Sequence, residues 1–187
     1  PATGYQFTNW SGGVSSTSNP YAFSMTGAMT VTGNFTSSPV SLLVAGNPTQ
    51  VGTPSPGYGF NTYGHGSSVT ASVTSPVTGP TGTRYVCTGW TGTGDVPATG
   101  TGLSANFTIT QTSSITWNWT TEYQLTLLEN PAGSGTVSAT PTGPWVPAGT
   151  PVTVSATPGA QYAFQDWSGA LTSSVNPDTF TMNGPSS

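Results

Sequence analysis

Charge is what this chain has least of: 3% of its 187 residues are Asp, Glu, Lys or Arg, against about a quarter in an ordinary soluble domain. There is no lysine, and Arg84 is the single strong cation. One guanidinium cannot neutralise a phosphate backbone, so nucleic-acid binding is excluded. The same lack excludes a basic helix lying on an anionic membrane. No apolar run approaches the roughly 18 residues that carry a helix across a bilayer, so no membrane insertion is expected. Cys87 is the only cysteine, which rules out an intrachain disulfide framework and a thiolate zinc site. Without lysine, a Lys–Asn isopeptide staple is excluded too. No export signal is visible, and one is expected upstream of Pro1 in a longer precursor.

The groups that chemistry needs are equally sparse. His65 sits in the glycine-rich turn Tyr63-Gly64-His65-Gly66, and the five acids (Asp95, Glu122, Glu129, Asp166, Asp178) are scattered. No Gly-x-Ser-x-Gly elbow accompanies the histidine. No Asp-x-Asp-x-Asp loop offers a calcium cage. No pair of acids is spaced for acid–base work. The expectation is a protein that is not an enzyme and uses no cofactor or metal.

What the chain has is Gly and Pro (25 and 17), much Ser and Thr, and six Trp, seven Tyr and seven Phe. Aromatic and β-branched residues with frequent turn formers suit half-buried strands. Gln124–Leu128, Val152–Ala156 and Ile115–Trp119 alternate with period two, and Ile115, Trp117 and Trp119 share one face. No window has helical periodicity. The fold class expected is all-β, as tandem small β-sandwich or β-grasp-like modules with no significant helix.

Internal repetition organises the rest. Residues 1–30 overlie 158–187 without a gap at a constant offset of 157, carrying Pro1, Tyr5, Phe7, Trp10, Ser11 and Gly12 onto Pro158, Tyr162, Phe164, Trp167, Ser168 and Gly169. At an offset of 83, Leu42, Val44, Asn47 and Pro48 overlie Leu125, Leu127, Asn130 and Pro131. The offset then falls to 77, where Tyr85, Cys87, Trp90 and Gly92 overlie Tyr162, Phe164, Trp167 and Gly169. The difference places about six extra residues in a loop near Ser75–Gly82, where insertion costs little. Met29, Val31, Gly33 and Phe35 overlie Ser113, Ile115, Trp117 and Trp119 at an offset of 84. The division expected is therefore 1–36, the C-terminal half of a repeat and a candidate donor segment; 37–120, a complete repeat; and 121–187, a repeat lacking its last strand. Modules cut in this way leave apolar faces for neighbouring chain to cover.

Trp10, Trp90 and Trp167 recur before a Ser/Thr-Gly turn and are read as the anchors of each module's core. Cys87, which stands where Phe7 and Phe164 stand, is read as a small buried hydrophobe. Trp145, in a Pro/Gly turn, is a candidate interface residue. Asn9, Asn34, Asn106 and Asn118 open Asn-x-Ser/Thr triplets and are candidate glycosylation sites.

The motif Tyr162-x-Phe164-x-x-Trp167-Ser168-Gly169, preceded by Ala148-Gly149-Thr150-x-Val152-x-Val154 and followed by Asn176-Pro177-x-x-Phe180-x-Met182, resembles the divergent B-repeat of internalin-like bacterial surface proteins. The stretches 82–97 and 107–119 resemble a variant of it found in very large tandem-repeat proteins. The resemblance spans essentially the whole chain. It implies all-β modules strung along exported, extracellular or cell-surface proteins as stalks, adhesins or fibres, with no catalytic residues to carry over. Two functions from different classes follow. The first is a structural subunit or section of an extracellular filament or surface stalk. Its partner is then itself, head to tail, or covalently continuous repeats, with Met29, Val31 and Phe35 on a strand donated between subunits. The alternative is a carbohydrate-binding or adhesive module whose partners are surface glycans.

Overall fold

The structure, a computed structural model, describes all residues from Pro1 to Ser187. Fourteen strands follow one another with no helix: β1 (Tyr5–Gly12), β2 (Val31–Ser37), β3 (Pro39–Asn47), β4 (Gly59–Gly64), β5 (Ser67–Ser72), β6 (Val77–Thr78), β7 (Thr83–Thr93), β8 (Thr99–Gly100), β9 (Ser104–Ile109), β10 (Ser113–Gln124), β11 (Gly135–Thr140), β12 (Trp145–Pro147), β13 (Pro151–Pro158) and β14 (Asp178–Thr181). The fold is all-β. Two compact units divide the chain, residues 1–73 with 89–117 and residues 74–88 with 118–187. The two longest strands, β7 and β10, each begin in one unit and end in the other.

In the first unit β3 pairs with β4 and lies beside β10, while β5 pairs with β9 as a separate two-stranded sheet. Alternation decides what is inside. Leu42 and Val44 of β3, Val69 and Ala71 of β5, Ala105 and Ile109 of β9, and Ile115 and Trp117 of β10 all point inward and are buried. Trp90 meets Trp117 edge-on with ring centroids 5.7 Å apart, a geometry that suits the ring quadrupoles. β1 and β2 form their own antiparallel pair, with a bulge between Phe7 and Asn9. From Pro1 to Ser41 no residue is buried. That pair has a ladder and no core.

In the second unit β11, β13 and β14 form an antiparallel sheet in that order, and β12 pairs with the end of β10. Its core is Leu125, Val146, Val152, Val154 and Met182, with Trp167, Leu171 and Phe180 packed against it. Period-two reading placed strands correctly at Val152–Ala156 and Ile115–Trp119. It misjudged Gln124–Leu128: β10 ends at Gln124, and only Leu125 continues, as a single parallel bridge to Ser186. The backbone N–H groups of Leu125 and Thr126 go to the Pro144 and Ser186 carbonyls, and no neighbouring strand lies alongside the residues that follow. The extra residues near Ser75–Gly82 are more than a loop. They build β6, which pairs with Arg84 and Tyr85 of β7, and the Ser75 hydroxyl accepts the Cys87 N–H at 2.9 Å.

Candidate functional site: an open strand lane in the C-terminal module

The duplicated 30 residues behave differently in their two settings, and the difference locates the site. In the first copy, residues 5–12 form β1 because β2 pairs with them from Tyr5–Ser37 to Gly12–Val31. In the second copy, residues 162–169 carry Tyr, Phe, Trp, Ser and Gly in the same places, yet no strand pairs with them and they are not extended ladder. The reverse holds further along. Residues 178–181 form β14 because β13 supplies a partner, whereas the equivalent residues 21–24 have none and form no strand. Each copy becomes a strand only where its neighbour is present. This is what main-chain hydrogen-bonding groups require of an extended segment.

The lane along residues 162–169 is nonetheless already shaped. Trp167 Nε1 donates to the Val175 carbonyl at 3.0 Å, as Trp10 Nε1 donates to the Ser18 carbonyl at 3.0 Å. The Trp167 N–H reaches the Ser173 carbonyl at 2.7 Å, as the Trp10 N–H reaches Ser16. Phe164 and Trp167 stand 5.2 Å apart at 53°, and Phe7 and Trp10 stand 5.2 Å apart at 54°. Beside the lane runs a groove of about 380 Å³, bounded by Gly135–Val137 of β11, by Ala156–Pro158 and by the lane itself. Tyr162 on its rim is half exposed.

The other sequence-derived candidates distribute as follows. Trp90 is buried, while Trp10 and Trp167 are only half-buried. In the middle module β10 lays Trp117 over Trp90, whereas Gly33 in β2 leaves Trp10 open, and no strand covers Trp167. Met29 and Val31 are half-buried and Phe35 is 54% exposed, all three on or beside a β2 that is paired with β1. Cys87 is buried. Trp145 lies under the Arg84 guanidinium, 4.7 Å from ring centroid to carbon, and Arg84 also forks onto one Glu122 oxygen at 2.6 and 2.7 Å. Sequence spacing gave no sign of that trio. Asn106 is exposed on β9 and accepts from Thr70 Oγ1, while the Asn34 amide is committed to the Asn9 carbonyl and Ser11 Oγ. Asn9 donates to the Trp10 carbonyl, and Asn118 is half-buried between two buried Trp residues. His65 is in the turn expected of it, but its ring lies against Gly4, where a Cβ would come within 2.3 Å of it. Asp95 collects the backbone N–H groups of Thr110 and Gln111 and the Gln111 side-chain amide, which hold its carboxyl below the usual range.

Repeated modules, an open lane and tryptophan anchors are the geometry; the family comparison supplies the rest. The model of the divergent InlB B-repeat domain matches residues 1–39 and 125–187, more than half of the chain. The chain belongs to that family. Both matched stretches of the B-repeat protein include one copy of the duplicated segment, and residues 40–124 lie outside the match. B-repeats of this type are repeats of surface-exposed bacterial proteins. No curated protein and no solved structure matches the chain.

Proposed function

We propose that this chain is a structural section or subunit of an extracellular filament or cell-surface stalk, built from tandem B-repeats joined head to tail by strand complementation. The observation that carries the reading is β10. Its first residues close one module, with Ile115 and Trp117 fully buried, and its last residues pair with β12 in the next. One strand thus serves two modules with no loop residue between them. β2 and β3, which belong to different sheets, follow one another with Ser38 alone between them. Modules that follow one another without a loop suit a linear array, and a head-to-tail contact between copies that does not close would extend it without limit. In this reading the chain has no catalytic part, works outside the cell, and takes as partner another copy of itself or continuous repeats.

Electron microscopy and light scattering of residues 1–187 over a concentration series test the assembly. Linear particles that lengthen with concentration are expected. A well-folded monomer at the highest concentration overturns head-to-tail complementation.

A further inference from the structure

Resting on the reading of the chain as a head-to-tail array of repeats, we infer that each repeat boundary is a selective docking surface. A matched set of side chains fits one repeat to the repeat that follows it and to no other. The partner of each surface is the succeeding repeat.

Both compact units straddle a boundary. The first joins residues 1–36 to the body of the middle repeat, and the second joins residues 74–88 of that repeat to 118–187. Strand registers align the two boundaries residue by residue. Pro39 opposite Gly64 in β3–β4 corresponds to Glu122 opposite Pro147 in β10–β12, and Ser41 opposite Thr62 corresponds to Gln124 opposite Trp145. The His65 N–H reaches the Ser38 carbonyl at 2.8 Å, as the Ala148 N–H reaches the Thr121 carbonyl at 2.9 Å. On the preceding repeat, Gly4 and Arg84 each stand immediately before the repeated tyrosine, Tyr5 or Tyr85.

The first boundary thus has Gly4, Pro39, Thr62 and His65 where the second has Arg84, Glu122, Trp145 and Ala148. All four differ, and they differ together. At the first, the ring comes from the turn after β4. His65 lies against Gly4, where a Cβ would fall within 2.5 Å of three ring atoms, and its centroid is 6.4 Å from that of Tyr5. Gly4 also sits at φ 82°, where a side chain is strained. At the second, the ring comes from the strand. Arg84 lies over Trp145 and directs two donors to Glu122, and Ala148 leaves the turn without a ring.

Mixing the sets is unfavourable in both directions. An arginine before Tyr5 would overlap His65 and find Pro39 in place of a carboxylate. A glycine before Tyr85 would bare the indole and strand Glu122, for which the chain has no other strong cation. Overlap forbids one exchange and an unpaired charge opposes the other.

Amide hydrogen exchange on the full chain reads both boundaries. The reporters are the Ser38 N–H, which donates to the Gly4 carbonyl at 2.8 Å, and the Gln124 N–H, which donates to the Gly82 carbonyl at 2.8 Å. The amides of the buried Ile115 and Val152 report the two cores. Asn accepts positive φ, so Gly4→Asn isolates the overlap with the ring. It is expected to speed Ser38 exchange at least about tenfold, and to have no such effect once His65→Ala has removed the ring. Arg84→Gly and Trp145→Thr are each expected to speed Gln124 exchange, and the double variant no more than the larger of the two. Ala148→His sets the first boundary's ring beside the second boundary's arginine, and is expected to speed Gln124 exchange as well. Additive effects in either pair overturn the matched sets, and a neutral Ala148→His overturns their mutual exclusion. A rise shared equally by Ile115 or Val152 reports unfolding of a whole unit and overturns a local docking surface. Coupled pairs in a chain that forms no linear particles leave this inference standing and overturn assembly between copies. Linear particles with uncoupled pairs do the reverse.

Discussion

Met25 and Met182 hold equivalent places in two copies of one sequence, and one is 70% exposed while the other is fully buried. Nothing local distinguishes them: each follows a Phe by two residues and precedes a Gly by two. What differs is the sheet beneath. Met182 follows β14, which is paired with β13, and sits among Val146, Val152 and Val154. Met25 has no such sheet under it. The same relation governs the partly exposed Phe23 and the lane along 162–169, so exposure at these duplicated positions follows the presence or absence of a neighbouring strand.

Truncating the two methionines separates these settings. Met182→Ala is expected to cost about 2–4 kcal/mol, since it opens a cavity in a packed core. Met25→Ala is expected to fall within about 0.5 kcal/mol in the dissociated chain, as exposed positions do. Urea unfolding followed by tryptophan fluorescence reads both. Equal costs would mean that the N-terminal segment has a core of its own.

Gly100 exists for Trp90. A Cβ there would lie 2.2 Å from the indole and meet three of its carbons within 2.6 Å, and the buried indole has Trp117 edge-on against it. Gly100→Ala is expected to lower stability by about 2–4 kcal/mol, the range for overpacking where neither side can yield. Gly57→Ala, at a position with open space around it, is the matched control and is expected to be near neutral. Thermal melts of the two variants decide the point.

Much of this was legible in the residues. The inward face of Ile115, Trp117 and Trp119 follows from alternation alone, and the burial of Cys87 follows from its standing where other copies carry Phe. The duplicated segment and its offset are visible by eye. What alternation does not carry is whether a strand has a partner, because pairing is a long-range property. Residues 5–12 and 162–169 look alike and end up as ladder and open lane. Gln124–Leu128 alternates well enough and loses its strand after Gln124 for want of a neighbour. The Arg84–Trp145 stack and the His65–Gly4 contact lie between residues about 60 positions apart, with no motif to announce either.

Asp95 makes stability depend on acid. The Thr110 N–H first, and then the Gln111 amide, favour its ionised form and hold the carboxyl below its ordinary value. A group whose folded pKa is depressed contributes stability that is full above the unfolded value, about 3.9 for Asp. That contribution is lost as pH falls through the folded value. Asp95→Asn is therefore expected to be less stable than the parent at neutral pH, with the gap closing as the solution is acidified into the carboxylate range. Asp178, lowered by the Ser173 hydroxyl and the Thr179 N–H, adds a change of the same sign in the parent and in the variant. Chemical unfolding at a series of pH values measures the gap. A difference that stays constant with pH would place the effect in the loop's shape and not in the charge.

Arg84 is the one side chain for which lysine cannot substitute. Its guanidinium carbon lies over the Trp145 ring, 4.7 Å from the centroid, while Nε and Nη2 both reach Glu122 Oε2, an arrangement that uses two donors of one guanidinium and the aromatic face together. Lysine keeps the charge and loses both geometries. With side chains 31% and 16% exposed, solvent screens the pair only in part. Arg84→Lys is expected to cost about 1 kcal/mol, between the values of surface pairs and buried ones. Arg84→Met keeps contact with the indole but strands Glu122, so it is expected to cost more, and adding Glu122→Gln is expected to recover part of the loss. A double-mutant cycle by urea unfolding reads the coupling directly. If Glu122→Gln recovers nothing in the Met background, the stack on Trp145 alone accounts for the arginine.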